Sequence, residues 1–180
     1  MESRLERFTL AKGWKDFTSN QQPEYFVTLT YRSPWGDGAA ERGLKFFVKA
    51  LVKSMPRRTI NNIGGVVAAE RTVKSVEFDG SYHFHIVLWG VNESMPDAAE
   101  WLQEAVVTTA IRMKSPTGAQ MCHWRSVNFQ CIEKDDLDLV ACYETKDIYK
   151  FERPAGAQML FIKGHDVIGT VNTQGDYHAT

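Results

Sequence analysis

A chain of 180 residues, 43% hydrophobic and 24% charged, carries enough apolar mass for one sizeable core and excludes a disordered protein. Its formal net charge of -1 excludes a globally basic domain, so any contact with nucleic acid has to rest on a local patch. No apolar run is long enough to span a bilayer, and Met1-Glu2-Ser3-Arg4-Leu5-Glu6-Arg7 lacks a secretory signal's apolar segment, which points to a soluble cytoplasmic protein with no membrane partner. Cys122, Cys131 and Cys142, odd in number and without Cys-x-x-Cys spacing, read as reduced structural thiols.

Residues 1–23 are polar and mixed in charge, with room for a short helix, and read as an arm or lead-in. Residues 24–180 read as a single domain without internal repeats. From Tyr25 to Arg32 the chain is rich in β-branched and aromatic residues and predicts a strand, with Val27, Leu29 and Tyr31 on one face and Phe26, Thr28, Thr30 and Arg32 on the other. Ser33-Pro34-Trp35-Gly36 ends it. Leu44, Phe47, Val48, Leu51, Val52 and Met55 then recur at helical spacing and predict an amphipathic helix near residues 39–55. Its outer face carries Lys45, Lys49 and Lys53, with Arg42 nearby. That row could neutralise phosphates, although a solvated helix face is the commoner meaning of such charges.

The run from Ile63 to Thr72 predicts a second strand, crowded with small residues and reaching an acid at Glu70. Asp79-Gly80 marks a hairpin that leads back into Tyr82-His83-Phe84-His85-Ile86-Val87-Leu88-Trp89. As a strand this segment alternates, so His83 and His85 share one face above an apolar row of Tyr82, Phe84, Ile86 and Leu88. Two imidazoles so placed can give two nitrogens to one divalent cation, or can stand as a half-exposed pair at a sheet rim. Glu70 is the natural carboxylate partner. A strict two-residue Asp79-Gly80 turn would pair Glu70 with Trp89, too far from His85, so a bulge or wider loop is required; Glu77 in that register faces away.

A helix starting about Ser94–Asp97, with Ala98, Trp101, Leu102, Ala105 and Thr109 inward, should end by Ser115-Pro116-Thr117-Gly118. A strand follows within residues 121–132, in which Val127, Phe129 and Cys131 alternate with Asn128 and Gln130. His123 beside Trp124 could be a further ligand or base contact, or an ordinary surface histidine. Asp135 or Asp136 can cap a helix running to Lys150 on which Tyr143, Lys146, Asp147 and Lys150 share a face. Residues 159–162 and 167–171 predict a closing strand or hairpin.

Three of these segments together resemble the nicking domain of rolling-circle replication initiators of plasmids and single-stranded DNA viruses, within the HUH endonuclease superfamily. Phe26-Val27-Thr28-Leu29-Thr30-Tyr31 resembles its first motif, His83-Phe84-His85 its metal motif and Tyr143-Glu144-Thr145-Lys146 its Tyr-x-x-Lys motif. The resemblance covers residues 24–150. It implies an α+β fold, a ferredoxin-like or RRM-like antiparallel sheet of about five strands with helices packed against it. It implies Mg²⁺ or Mn²⁺ held by His83, His85 and Glu70, with Tyr143 as nucleophile and Lys146 orienting the metal site or the scissile phosphate.

The implied activity is nicking of single-stranded DNA, at an origin or hairpin, through a 5'-phosphotyrosine that can later be rejoined to a 3'-hydroxyl. Asp147 stands where two-tyrosine relatives carry their second tyrosine, which predicts a one-tyrosine mechanism in which Asp147 orients water or balances Lys146 and Lys150. Thr30, Arg32, Lys45, Lys49 and Lys53, with exposed aromatics such as Trp35 or Trp124, are the DNA-binding candidates. No Gly-rich Gly-Lys-Ser/Thr loop is present, so a host or partner helicase would be needed for replication, in a bacterial cytoplasm or the host compartment of viral DNA synthesis. A transposase or relaxase-like nickase would use the same chemistry. A non-catalytic RRM-like binding module would share the sheet but leave the histidine pair unexplained.

Overall fold

The computed structural model describes residues 4–71, 81–93, 95, 97–138, 140, 158–164 and 166–168. In chain order the elements are α1 (Arg4–Asn20), β1 (Tyr25–Tyr31), α2 (Asp37–Lys53), α3 (Arg57–Asn62), β2 (Gly64–Arg71), β3 (Tyr82–Trp89), α4 (Ala98–Ile111), β4 (Cys122–Cys131), a 3-10 turn (Lys134–Asp136), β5 (Gln158–Lys163) and β6 (Asp166–Ile168). The strands form one sheet in the order β4-β1-β3-β2-β5-β6. All of its pairings are antiparallel.

The inner four strands explain the architecture. β1 and β2 run the same way with β3 inserted between them, and β4 pairs the far edge of β1. With helices between β1 and β2 and between β3 and β4, this is the split βαβ arrangement of ferredoxin-like and RRM-like α+β domains. β5 and the three-residue β6 extend the sheet beyond the expected five strands as a terminal hairpin.

The core lies between one sheet face and α2 and α4. Val27, Leu29 and Tyr31 of β1, Phe84, Ile86 and Leu88 of β3, and the α2 residues Leu44, Phe47, Val48, Leu51 and Val52 are all buried. Burying each of the large aliphatic and phenylalanine side chains contributes roughly 1.5–3 kcal/mol, so this period-2 and period-3.6 match is what fixes the layer order. Gly43 allows the close approach of α2: a Cβ there would stand 2.7 Å from the Tyr31 hydroxyl, which itself donates to the Ala40 carbonyl at 3.0 Å.

α1 is a full helix of 17 residues, longer than the short helix expected in a polar arm. Phe17 meets Trp89 edge-on at 6.2 Å, Thr18 is buried, and Lys15 lies 3.4 Å from Asp138, so the helix docks on the end of β3. α3 is not foreshadowed by the sequence pattern; its Thr59 is buried, and the Thr59 carbonyl accepts the Ile63 N–H at 2.8 Å just before β2 begins. α4 turns Val106 and Ala110 fully inward, whereas Trp101 and Ala105 are only partly covered. Among the described residues, no helix is long and apolar enough to cross a membrane.

Candidate metal centre on the sheet face opposite α2 and α4

The period of two that sends Phe84, Ile86 and Leu88 into the core sends His83 and His85 to the opposite face. On β1 the same parity places Phe26, Thr28 and Thr30 there. The register sets Thr28 directly opposite His85, and Thr30 opposite His83. On the other side of β3, β2 sets Ala68 opposite His85 and Glu70 opposite His83. Two rows therefore cross the sheet: Thr28, His85, Ala68, and Thr30, His83, Glu70.

This register resolves the hairpin problem posed by the sequence. β2 ends at Arg71 and β3 begins at Tyr82, and Glu70 pairs with His83 instead of Trp89. The displacement along β3 is an even number of residues, which keeps Glu70 on the histidine face. Residues 72–80, including Glu77 and Asp79-Gly80, lie outside the described residues.

Diagonal neighbours on a sheet face come within reach of long side chains. The small Ala68 leaves that diagonal open, and a Glu70 carboxylate oxygen lies 3.4 Å from His85 Nε2, with both side chains nearly buried. Each histidine is held through its other nitrogen: Thr28 Oγ1 lies 3.2 Å from His85 Nδ1, and Thr30 Oγ1 lies 3.0 Å from His83 Nδ1. Phe26 stacks on the His85 ring at 5.8 Å with the planes 6° apart. His85 is thus fixed by a hydroxyl, an aromatic face and a carboxylate.

The donor set fits a divalent cation. Two ligands bound at about 2.1 Å stand roughly 3.0–3.4 Å apart in octahedral or tetrahedral geometry, so the His85–Glu70 spacing is that of neighbouring ligands on one ion. A hydrogen bond at Nδ1 sets the tautomer that presents Nε2 to a metal. His83 adjoins the pair in register, yet among the described residues no three His, Cys, Asp or Glu side chains form a closed ligand cluster. His85 and Glu70 are the assembled part of the site.

The other expected residues divide clearly. Arg32 follows Thr30 and Tyr31 at the end of β1, and its guanidinium donates to the Gln120 side chain at 3.5 Å. Lys45, Lys49 and Lys53 lie on the outer side of α2, in the helix layer behind the sheet, and are not brought together with the histidines; Lys45 pairs with Glu41 at 2.5 Å. Trp35 packs partly buried against the core, so of the two tryptophans it is Trp124 that is exposed, with the Arg125 guanidinium 4.9 Å from its ring centroid. His123 Nδ1 accepts the Arg125 backbone N–H at 3.2 Å. Tyr143, Lys146 and Asp147 lie outside the described residues.

Thr28 was not among the sequence candidates, and Thr30 was placed there as a DNA contact. The available signal was parity: a Thr-x-Thr strand beside a His-x-His strand puts four polar side chains on one face once the two strands are neighbours. No family model, curated protein or solved structure matches the chain.

Proposed function

We propose that the protein is a metal-dependent endonuclease and strand transferase acting on single-stranded DNA through one tyrosine, as in the replication initiators its motifs resemble. The observation that carries this reading is the His85–Glu70 pair at 3.4 Å, with both imidazoles of the His-x-His strand held at Nδ1 by Thr28 and Thr30. His83, His85 and Glu70 would hold Mn²⁺ or Mg²⁺, imidazole nitrogen favouring Mn²⁺ of the two. The bound ion would supply charge stabilisation at the scissile phosphate.

Tyr143 is the proposed nucleophile. Its phenolate oxygen bonds to phosphorus, the P–O3' bond breaks, and the departing 3'-oxygen takes a proton to become a free hydroxyl while the 5' side stays on the tyrosine. Lys146 orients the phosphate. Attack by a 3'-hydroxyl on the phosphotyrosine reverses the step, so joining needs no nucleotide triphosphate. A host or partner helicase would open the duplex. A transposase or relaxase-like role would use the same steps. A passive RRM-like module is less well supported, because Phe26 and His85 are buried at 8% and 3% exposure and offer no stacking platform to bases.

The test is incubation of labelled single-stranded oligonucleotides from the adjoining intergenic DNA with EDTA, Mg²⁺ or Mn²⁺, read on a denaturing gel. Wild type is expected to form a metal-dependent, SDS-resistant adduct that Tyr143→Phe does not form. Binding with no adduct or cleavage on any strand would favour the module. An adduct that persists in Tyr143→Phe would keep the enzyme class and remove the nucleophile assignment.

A further inference from the structure

The sheet end that carries Thr30 and His83 is also where α2 begins and α4 ends. A cleft of about 550 Å³ opens there on the helix side, within the size range of small-molecule sites. Arg42, Arg112 and Lys114 line it, Phe46 stands in its wall 48% exposed, and among the described residues no carboxylate lines it. Glu41, the acid next to Arg42 in sequence, is engaged by Lys45. Phe46 and Arg112 also line a second cleft of about 350 Å³ that continues between α2 and α4.

The cleft is linked to the histidine face. Arg32, two residues after Thr30, donates to Gln120; Gln120 donates to the Ile111 carbonyl at the end of α4 at 3.1 Å and is bridged to Lys114. Cationic groups therefore run from β1 around the sheet end to Lys114, Arg112 and Arg42. Three guanidinium or ammonium groups around an exposed phenyl ring match a polyanion with flat bases, which is the chemistry of a single strand.

We infer that this cleft binds the portion of a single-stranded DNA substrate that flanks the nicking site, neutralising its phosphates with Arg42, Arg112 and Lys114 and stacking a base on Phe46. This rests on the reading of single-stranded DNA as substrate, and it assigns the grip to these residues in place of the outer lysine row of α2. A strand lying over Thr30 and Arg32 would turn around the end of the sheet into the cleft. Short strands that cover only the histidine face would not reach it.

The test is fluorescence anisotropy with labelled oligo-dT of increasing length, in EDTA and over a range of salt, comparing wild type with R42A/R112A/K114A and with Phe46→Ala. All four side chains are exposed, so folding is kept. Each phosphate contact to a single strand contributes about -0.7 to the slope of log K against log salt, so the triple variant should lose about 2 from that slope on long strands. Long strands should bind it about tenfold more weakly or worse, with short ones unchanged. Phe46→Ala should weaken long strands about fivefold or more without altering the slope. Wild-type slope and affinity in the triple variant at every length would overturn the inference, as would an equal loss on short and long strands. Adduct formation on a short oligonucleotide, measured on the same variant, reports separately on the nicking reading.

Discussion

Thr30 Oγ1 lies 3.0 Å from His83 Nδ1, across the β1–β3 ladder and directly opposite it in register. Thr28 repeats the contact with His85 at 3.2 Å. A ring held at one nitrogen loses rotational freedom and keeps the other nitrogen in a fixed direction, which is how partners of metal-binding histidines raise affinity. Thr30→Val, which keeps the branched shape and removes the acceptor, should weaken Mn²⁺ binding about 10–100-fold with little change in thermal unfolding. Thr28→Val should act the same way on His85. Titration calorimetry with Mn²⁺ checks this. Wild-type affinity in both variants would reduce the threonines to ordinary sheet residues.

Gly90 ends the histidine strand at φ +74°, and a Cβ there would stand 2.3 Å from the Asn62 carbonyl oxygen. The conflicting atom is backbone, at the end of α3, so it cannot move aside as a flexible side chain would. Gly90→Ala should cost about 1–3 kcal/mol for the left-handed conformation alone, and more for the contact. The urea midpoint should fall accordingly, and Mn²⁺ affinity should fall with it if the bend also sets the direction of β3. A midpoint within error of wild type would show that the turn relaxes freely.

Much of this was legible from residue pattern. The α2 residues at helical spacing and the alternation of β1 and β3 are inside where periodicity puts them, because a large apolar stripe has only one way to leave water. Element type is a local property. The site is not local. Glu70 meets His85 only because β2 pairs with β3 in the register that sets Glu70 opposite His83, and Thr28 meets His85 only because β1 is the neighbour of β3, which no single segment encodes. The full length of α1 is hidden in the sequence because Gly13 and the polar run after Phe17 mask its few apolar residues, and its anchor, Trp89, is distant in sequence.

The buried end of β4 sets an alkaline limit on stability. Burial pushes the Cys122 thiol up to about 12, and burial followed by proximity to Cys122 pushes the Tyr31 phenol well above its usual range. In the unfolded chain a thiol ionises near about 8.5 and a phenol near about 10. Both folded-state values are raised, so the unfolded state releases protons first as pH rises. The stability linked to each group is complete below its unfolded value and is lost as pH climbs toward the folded one. Urea midpoints should therefore hold to about pH 8 and decline steadily above it. Cys122→Ala removes the thiol's share, so its decline should be shallower and begin nearer to about pH 10, where Tyr31 takes over. Identical pH slopes in the two proteins would show that other groups govern the alkaline limb. The same burial controls reactivity, since alkylation needs an accessible thiolate. Iodoacetamide on the native protein at about pH 8 should label the exposed Cys131 and spare Cys122, as peptide mapping would show. Rapid labelling of Cys122 would mean that β4 opens from β1 far more often than its place against Tyr31 allows.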